Sequence, residues 1–414
     1  MKGSVLSFKD DFLLIISFVL FGLIPLTSQK LEVIVTLIFF TLLSIHLILS
    51  RKKKGLKNKL FFILNASLFF VLLITLFDGF DLLAYKKLEQ MVSLLIFPLF
   101  FYLLSKEGSN KNKELFKLWK YVFVFATFIL VIISFYLISN YSNSRYPKLD
   151  SNFFQNAIID STYFSIHPAY ISIYLNISNL ICLSFIADSK SSKNKLLFSF
   201  FGIVFLILLF MFSVKIAIIS LIVSSIVLLF IKLNFKSFFK KLLFIIIPIG
   251  LFIFFAPNNI NRFSKLFNSR VLNENKQYNS IFIHKQTILC SAKILKNNSL
   301  LGVGVENSNI LVNNCVREVF IHNPKIIYNS HNQYLSYGLH SGVLGILLLG
   351  FVLYFALYNS FFDNHLIFAI IIYFAISFFT ENILERQSGL LLFAFLINII
   401  PNMTNRNTII LESK

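Results

Sequence analysis

Apolar runs of 15 to 20 residues recur from Phe12 to Ile400, broken by short polar segments, and nothing else limits the possible folds as strongly. In hydrocarbon, every backbone N–H and C=O must find a partner inside the protein, so a spanning segment is a helix or part of a closed barrel. Barrel strands alternate apolar and polar positions in segments of about 10 residues. Runs such as LLIFPLFF (94–101) are apolar at every position instead. Composition agrees: 14% of residues are charged, against about 25% in soluble domains. The chain is expected to be an all-α polytopic membrane protein, one membrane domain over residues 1–414.

Twelve spans are predicted, at 12–26, 31–49, 60–77, 88–104, 121–138, 169–187, 196–212, 216–231, 242–256, 342–358, 366–380 and 389–400. The last two fall short of the roughly 17 to 25 residues of a comfortable span, so their ends should extend into polar neighbours. With both termini inside, the inside segments hold 22 of the 38 basic residues and the short outside loops only 7. Basic residues favour the cytoplasmic side, and long loops hardly count in that rule. This distribution also explains the net charge of +20. The cations sit in short loops, where they orient helices and meet anionic lipid, so no nucleic-acid partner is expected. The first apolar run lacks a small-residue cleavage site, so no cleavable signal is expected.

Two outside loops have substance. Residues 139–168 form a medium loop, and residues 257–341 a long one between spans nine and ten. Within the long loop, Ile281, Ile288, Ala292 and Leu295 recur at helical spacing, which predicts an amphipathic helix over 279–297 lying on the membrane surface. A glycine-containing turn, LLGVGV (300–305), follows. Cys290 and Cys315 both fall in this loop. In an oxidising compartment they could pair, or Cys290 could simply pack as a small apolar residue.

Chemistry belongs at the polar borders. NSHNQYLSYGLHSGVLG (329–345) carries His331 where the long loop returns to apolar sequence. An imidazole titrates near neutral pH and can take a hydroxyl proton, or it can merely sit at a helix start. Asn332 beside it could orient the ring or a sugar hydroxyl. Gly338, Gly342 and Gly345 would let helices approach closely. Lys215 lies between spans seven and eight with almost no loop around it, where a cation needs a partner or a function, though a snorkelling lysine would look the same. Arg386 stands beside Glu381 and Glu385, expected at i and i+4 of one helix, either as an ion-pair cluster or as a fork aimed at an anion. His167 precedes Pro168, a natural helix start, and would face the same side as His331. His46 shows no acidic partner in sequence. No Walker loop, dinucleotide fingerprint, HExxH or metal-ligand cluster is present, so ATP-driven transport has no support and no cofactor is expected.

Five stretches bring a family into view: LKNNSLLGVGVEN (295–307), NSHNQYLSYGLHSGVLGILLLG (329–350), SVKIAIISL (213–221), STYFSIHPAYISIYL (161–175) and FFTENILERQSGLLLFAFL (378–396). They resemble blocks of the O-antigen ligase and O-antigen polymerase superfamily of bacterial envelope proteins, the second most specifically. The first five spans match only in hydropathy. Two departures stand out: Lys215 replaces the family's usual arginine, and His284 occupies the position of a second arginine, with Ile288 where tryptophan is common.

The resemblance implies a metal-independent glycosyltransferase of the bacterial cytoplasmic (inner) membrane, with cytoplasmic termini and a periplasmic active site. Its donor would be a glycan on undecaprenyl diphosphate. Its acceptor would be lipid A-core, another envelope glycan or a protein. On this reading His331 activates the acceptor, Lys215, Arg386, His284 and Arg270 surround the diphosphate, and His167, Asn332, Tyr170 and Glu381 position glycan or acceptor. A polysaccharide polymerase and a protein oligosaccharyltransferase share the same blocks. A secondary transporter or flippase would instead need ionisable residues near the bilayer midplane, broken helices and an inverted repeat, whereas the charges here lie at the outer border.

Overall fold

A computed structural model describes residues 8–50, 59–75, 89–142, 150–161, 167–233, 280–319 and 328–403. Arg270 and the predicted ninth span, 242–256, lie outside the described residues. Among those described there are fourteen α-helices, three short 3-10 turns and no strand.

The apolar helices follow the predicted order: α1 (Phe8–Gly22), α2 (Gln29–Ser50), α3 (Lys59–Thr75), α4 (Ser93–Leu104), α5 (Ser109–Asn140), α7 (Pro168–Asp188), α8 (Ser192–Phe212), α9 (Lys215–Lys232), α12 (Gln333–Asp363), α13 (His365–Ser377) and α14 (Gln387–Met403). Six of them, α2, α5, α7, α8, α9 and α12, are long and apolar enough to cross a membrane, and the rest are shorter apolar helices. The protein is an all-α membrane protein.

The centre of the bundle is α14, buried at every position from Ser388 to Met403. Phe395 on this helix meets Phe18 and Phe21 of α1, Phe39 of α2, Phe97 and Phe101 of α4 and Trp119 of α5 at ring-centroid distances of 4.5–6.4 Å. Each such ring pair adds about 0.5–1.5 kcal/mol beyond burial. Polar side chains link the helices where water is absent. Asn65 donates to Asn398 at 2.8 Å, Asn402 to the Phe101 carbonyl at 2.9 Å, and Ser178 to Thr127 at 2.8 Å.

One end of the bundle is tied by ion pairs. His46 lies 3.2 Å from Glu107, so its acidic partner comes from 61 residues away, and Lys111 joins Glu107 at 2.6 Å as well as Asp11. The sequence reading of His46 as lacking an acidic partner is therefore corrected. Asp11, His46 and Glu107 could by spacing hold a metal, but the Lys111 ammonium already bridges both carboxylates.

Both loops hold helices that sequence periodicity left unmarked. In the medium loop, α6 (Ser151–Ile159) turns Phe153, Phe154, Ala157 and Ile158 inward. In the long loop, the predicted amphipathic helix is present as α10 (Ser280–Asn297), and a second helix, α11 (Gly304–Val319), folds back on it. Cys290 and Cys315 join the two in a disulfide. Phe282, Cys290, Val312, Val316, Tyr328 and Leu339 make a small core of their own.

This hairpin is latched to α12 through backbone. Val303 N–H donates to Leu339 O at 2.7 Å, and Val343 N–H donates to Ser299 O at 2.8 Å. The contact is possible because α12 breaks at Ser341 and Gly342. Gly342, at φ 66° and ψ −154°, holds a conformation open essentially to glycine, and a Cβ there would meet Leu300 O at 2.2 Å. A Cβ on Gly302 would meet Leu339 O at 2.5 Å. Gly342→Ala should therefore lose about 1–3 kcal/mol from backbone strain alone. Thermal unfolding in detergent should show a clear fall in Tm for this variant and little change for Gly350→Ala, where a Cβ meets nothing within 4 Å.

Candidate functional site

At the end of the bundle opposite the His46 ion pairs, α7, α9, α12 and α14 all begin and α13 ends. Eight of the candidate residues converge here.

His331 precedes α12 at φ 47°, and Ser213, two residues before Lys215, has φ 51°. These are the two non-glycine residues with positive φ among those described, and such strain persists only where the surroundings enforce it. The left-handed turn at Ser213 ends α8 and lets α9 start at Lys215. Gln155 of α6 donates to the Phe212 carbonyl at 2.5 Å and secures that turn. The turn at His331 is set by its neighbours. Its N–H donates to Asn329 Oδ1 at 3.1 Å, and Ser330 Oγ donates to Asn332 O at 2.9 Å. The His331 ring lies against His284 of α10, with centroids 4.1 Å apart. The α10–α12 latch is what brings these two rings together.

Asn332 caps α12. Its Oδ1 accepts from Leu335 N–H at 2.9 Å, and its Nδ2 donates to Phe379 O at 2.9 Å. The amide is thus engaged at both ends and ties the His331 turn to the segment after α13. Gln333 adds a second tie, its Oε1 accepting from Leu384 N–H at 2.7 Å.

Glu381 and Glu385 do not share a helix, as sequence spacing implied. Residues 378–380 form a turn, 381–382 are irregular and 383–385 form a single 3-10 turn, because α13 ends and α14 must start afresh at Gln387. The two carboxylates consequently separate. Glu385 faces His331, accepting from Ser336 Oγ and from Asn382 Nδ2 at 3.2 Å. Glu381 lines a pocket with Ala169, Tyr170, Ile173, Val214, Ile216, Ala217, Tyr373, Ser377 and Ile383. Arg386 lies over the Tyr170 ring at 5.8 Å. His167 caps α7, its Nδ1 accepting from Ala169 N–H at 3.3 Å.

Below this layer lies an acid that sequence reading passed over. Glu32 is fully buried and accepts from Tyr174 at 2.7 Å and from Ser388 at 2.6 Å. Tyr174 is one helical turn from Tyr170, and Ser388 is two residues from Arg386. Glu32 thereby fixes both elements that meet at the Tyr170–Arg386 contact. The signal was present, since a carboxylate inside an apolar run is expensive and demands partners.

Two cations, Lys215 and Arg386, stand among buried titratable groups at the site. Burial first, then His284 and His167, hold His331 down to about 4, with Glu385 opposing. Burial and then Lys215 lower His284. Burial and then Arg386 lower His167. Glu381 is pushed the other way, up to about 7, because burial outweighs the attraction of Arg386. Near neutral pH the three imidazoles are therefore uncharged, one carboxyl is half protonated, and a ligand bringing negative charge would meet the Lys215 and Arg386 cations.

A polytopic helical protein with histidines, a lysine and an arginine gathered at one polar mouth is the class that fold and site define. Residues 197–350 match the family model described as O-antigen ligase, which supports the resemblance of this part of the chain to that superfamily. The match takes in Lys215, His284, His331 and Asn332, while His167, Tyr170, Glu381 and Arg386 reach the same place from outside it. A comparison with curated proteins returned no match.

Infrared titration of the purified protein should show a component of the protonated-carboxyl band with a midpoint near 7 that Glu381→Gln removes. The sign for stability follows. A folded-state value above the ordinary carboxylate range gives stability present below about 4.5 and lost as pH rises through 7. Glu381→Gln should accordingly flatten the pH dependence of Tm between those values.

Proposed function

We propose that this protein transfers a glycan from a polyprenyl diphosphate, undecaprenyl diphosphate being the bacterial carrier the family implies, to an acceptor hydroxyl on an envelope molecule. Lipid A-core is the acceptor favoured. Transfer takes place on the extracytoplasmic face of the inner membrane, with both termini cytoplasmic. The observation that carries this reading is the pairing of His331 with His284 inside a ring of cationic groups, in the segment that matches the O-antigen ligase family.

Each residue has a chemical task. The acceptor hydroxyl attacks the anomeric carbon while His331 takes its proton. The bond from that carbon to the diphosphate breaks, and the electron pair leaves on the diphosphate oxygen. Lys215, Arg386 and His284 stabilise the negative charge that develops there, a task Arg270 would share. Lys215 stands at the N-terminus of α9, where the helix dipole adds further positive potential. Protein cations thus carry the neutralisation, with no metal required. In the free site His331 is a weak base. A bound diphosphate replaces repulsion by attraction and raises its proton affinity, so the base strengthens when the donor arrives. Glu385 holds the imidazolium once formed. Tyr170, His167, Glu381 and Asn332 shape the sugar side of the mouth.

Deletion of the chain should leave complete polymer on the lipid carrier if it is a ligase, and single repeat units on the normal acceptor if it is a polymerase. His331→Ala should abolish glycan display while the protein remains in the membrane, and normal display in that variant would sink the assignment. Lys215→Ala should impair donor use strongly, with Lys215→Arg retaining activity. In a reconstituted assay, the acid limb of kcat/KM set by His331 should fall near pH 4, well below an ordinary histidine.

A further inference from the structure

The tip of the α10–α11 hairpin carries the two most exposed large apolar residues among those described, Leu300 at 80% and Leu301 at 84%. A soluble loop rarely presents adjacent leucines in this way, and their position along α12 says what they meet. From Gln333 to Gly342, α12 is largely enclosed by protein, with Gln333, Ser336, Tyr337, Gly338, Leu339 and His340 all buried. Immediately below the break at Gly342, the same helix opens outward, with Val343 45%, Leu344 58% and Leu347 53% exposed. The stretch from Val343 to Asp363 rises at about 1.5 Å per residue, which gives roughly the thickness of a bilayer's hydrocarbon core. The break therefore marks the hydrocarbon boundary.

The latch places the leucines at that boundary. Leu300 O lies 2.2 Å from where a Cβ on Gly342 would be, and Val343 N–H donates to Ser299 O at 2.8 Å. Leu300 and Leu301 are thus level with the first lipid-facing turn of α12 and continuous with its apolar surface. Behind them, Lys293 and Lys296 of α10 are exposed, at the height where lysines meet lipid headgroups.

We propose that Leu300 and Leu301 form a wedge inserted into the acyl-chain region of the leaflet on the site side, so that the hairpin is a membrane-anchored element rather than a solvated loop. Because α10 carries His284 and the latch is backbone to backbone, the wedge also fixes the height of the His284–His331 pair above the hydrocarbon. The proposal stands on exposure and packing alone and does not depend on the transfer reaction.

Tryptophan quenching in proteoliposomes tests it. Trp119 is the chain's one tryptophan and is fully buried, so contact quenchers leave it as an internal reference. Leu301→Trp should add blue-shifted emission that is quenched by lipids brominated near the headgroup end of the acyl chain. The extent should be comparable to Leu344→Trp, with little quenching by iodide. Quenching of the added signal by iodide and not by bromolipid would place the tip in water and overturn the proposal. Quenching by neither would mean that protein covers the tip, from this chain or a second copy, and would overturn it equally.

Discussion

The structure around the site depends on one backbone contact, the pairing of the 299–303 turn with the break in α12. Two glycines meet there with no room for a side chain on either. Backbone hydrogen bonds on both sides of the break, Val303 to Leu339 and Val343 to Ser299, fix the hairpin in register. A groove contact between side chains could slip by a rotamer. This one cannot, because each partner is main chain. His284 and His331 are brought together as a result, although they are far apart in sequence. The disulfide between Cys290 and Cys315 then holds the two helices of the hairpin as one body.

Against that frame the charges behave as a set. Burial lowers all three imidazoles first, and to it Lys215 adds at His284, Arg386 at His167, and both of these histidines at His331. No single residue would make this mouth an anion site. Their convergence from α7, α9, α10, α12 and the start of α14 sets two cations, Lys215 and Arg386, beside three imidazoles whose proton affinity burial and those cations lower. The acids are arranged with the same economy. Glu385 faces the imidazole, Glu381 sits near Arg386, and Glu32 pins the helices beneath.

Much of this was legible in the residues. The helices follow the apolar runs because hydrocarbon leaves the backbone no alternative, and Pro168 marks a helix start as read. The amphipathic helix at 280–297 announced itself by its spacing. Other features could not be read. Short helices such as α6 and α11 gain their stability from packing rather than propensity, so they carry a weak signal. The i, i+4 spacing of Glu381 and Glu385 suggested a shared helix, but α13 stops at Ser377 and the chain must turn. His46 found its acid 61 residues away, a distance no local pattern spans.

The sequence by itself determined the class of the protein and the sites of its polar borders, since hydropathy and basic residues are local properties that the bilayer reads directly. It also singled out His331 as a candidate, through a block of residues that stand together in the chain. Only the tertiary structure decided which borders share a mouth and how Asn332 is used. Only it made Glu32 part of the support. Those outcomes rest on close packing between distant segments, and the two glycines at 302 and 342 count for that packing only once they face each other.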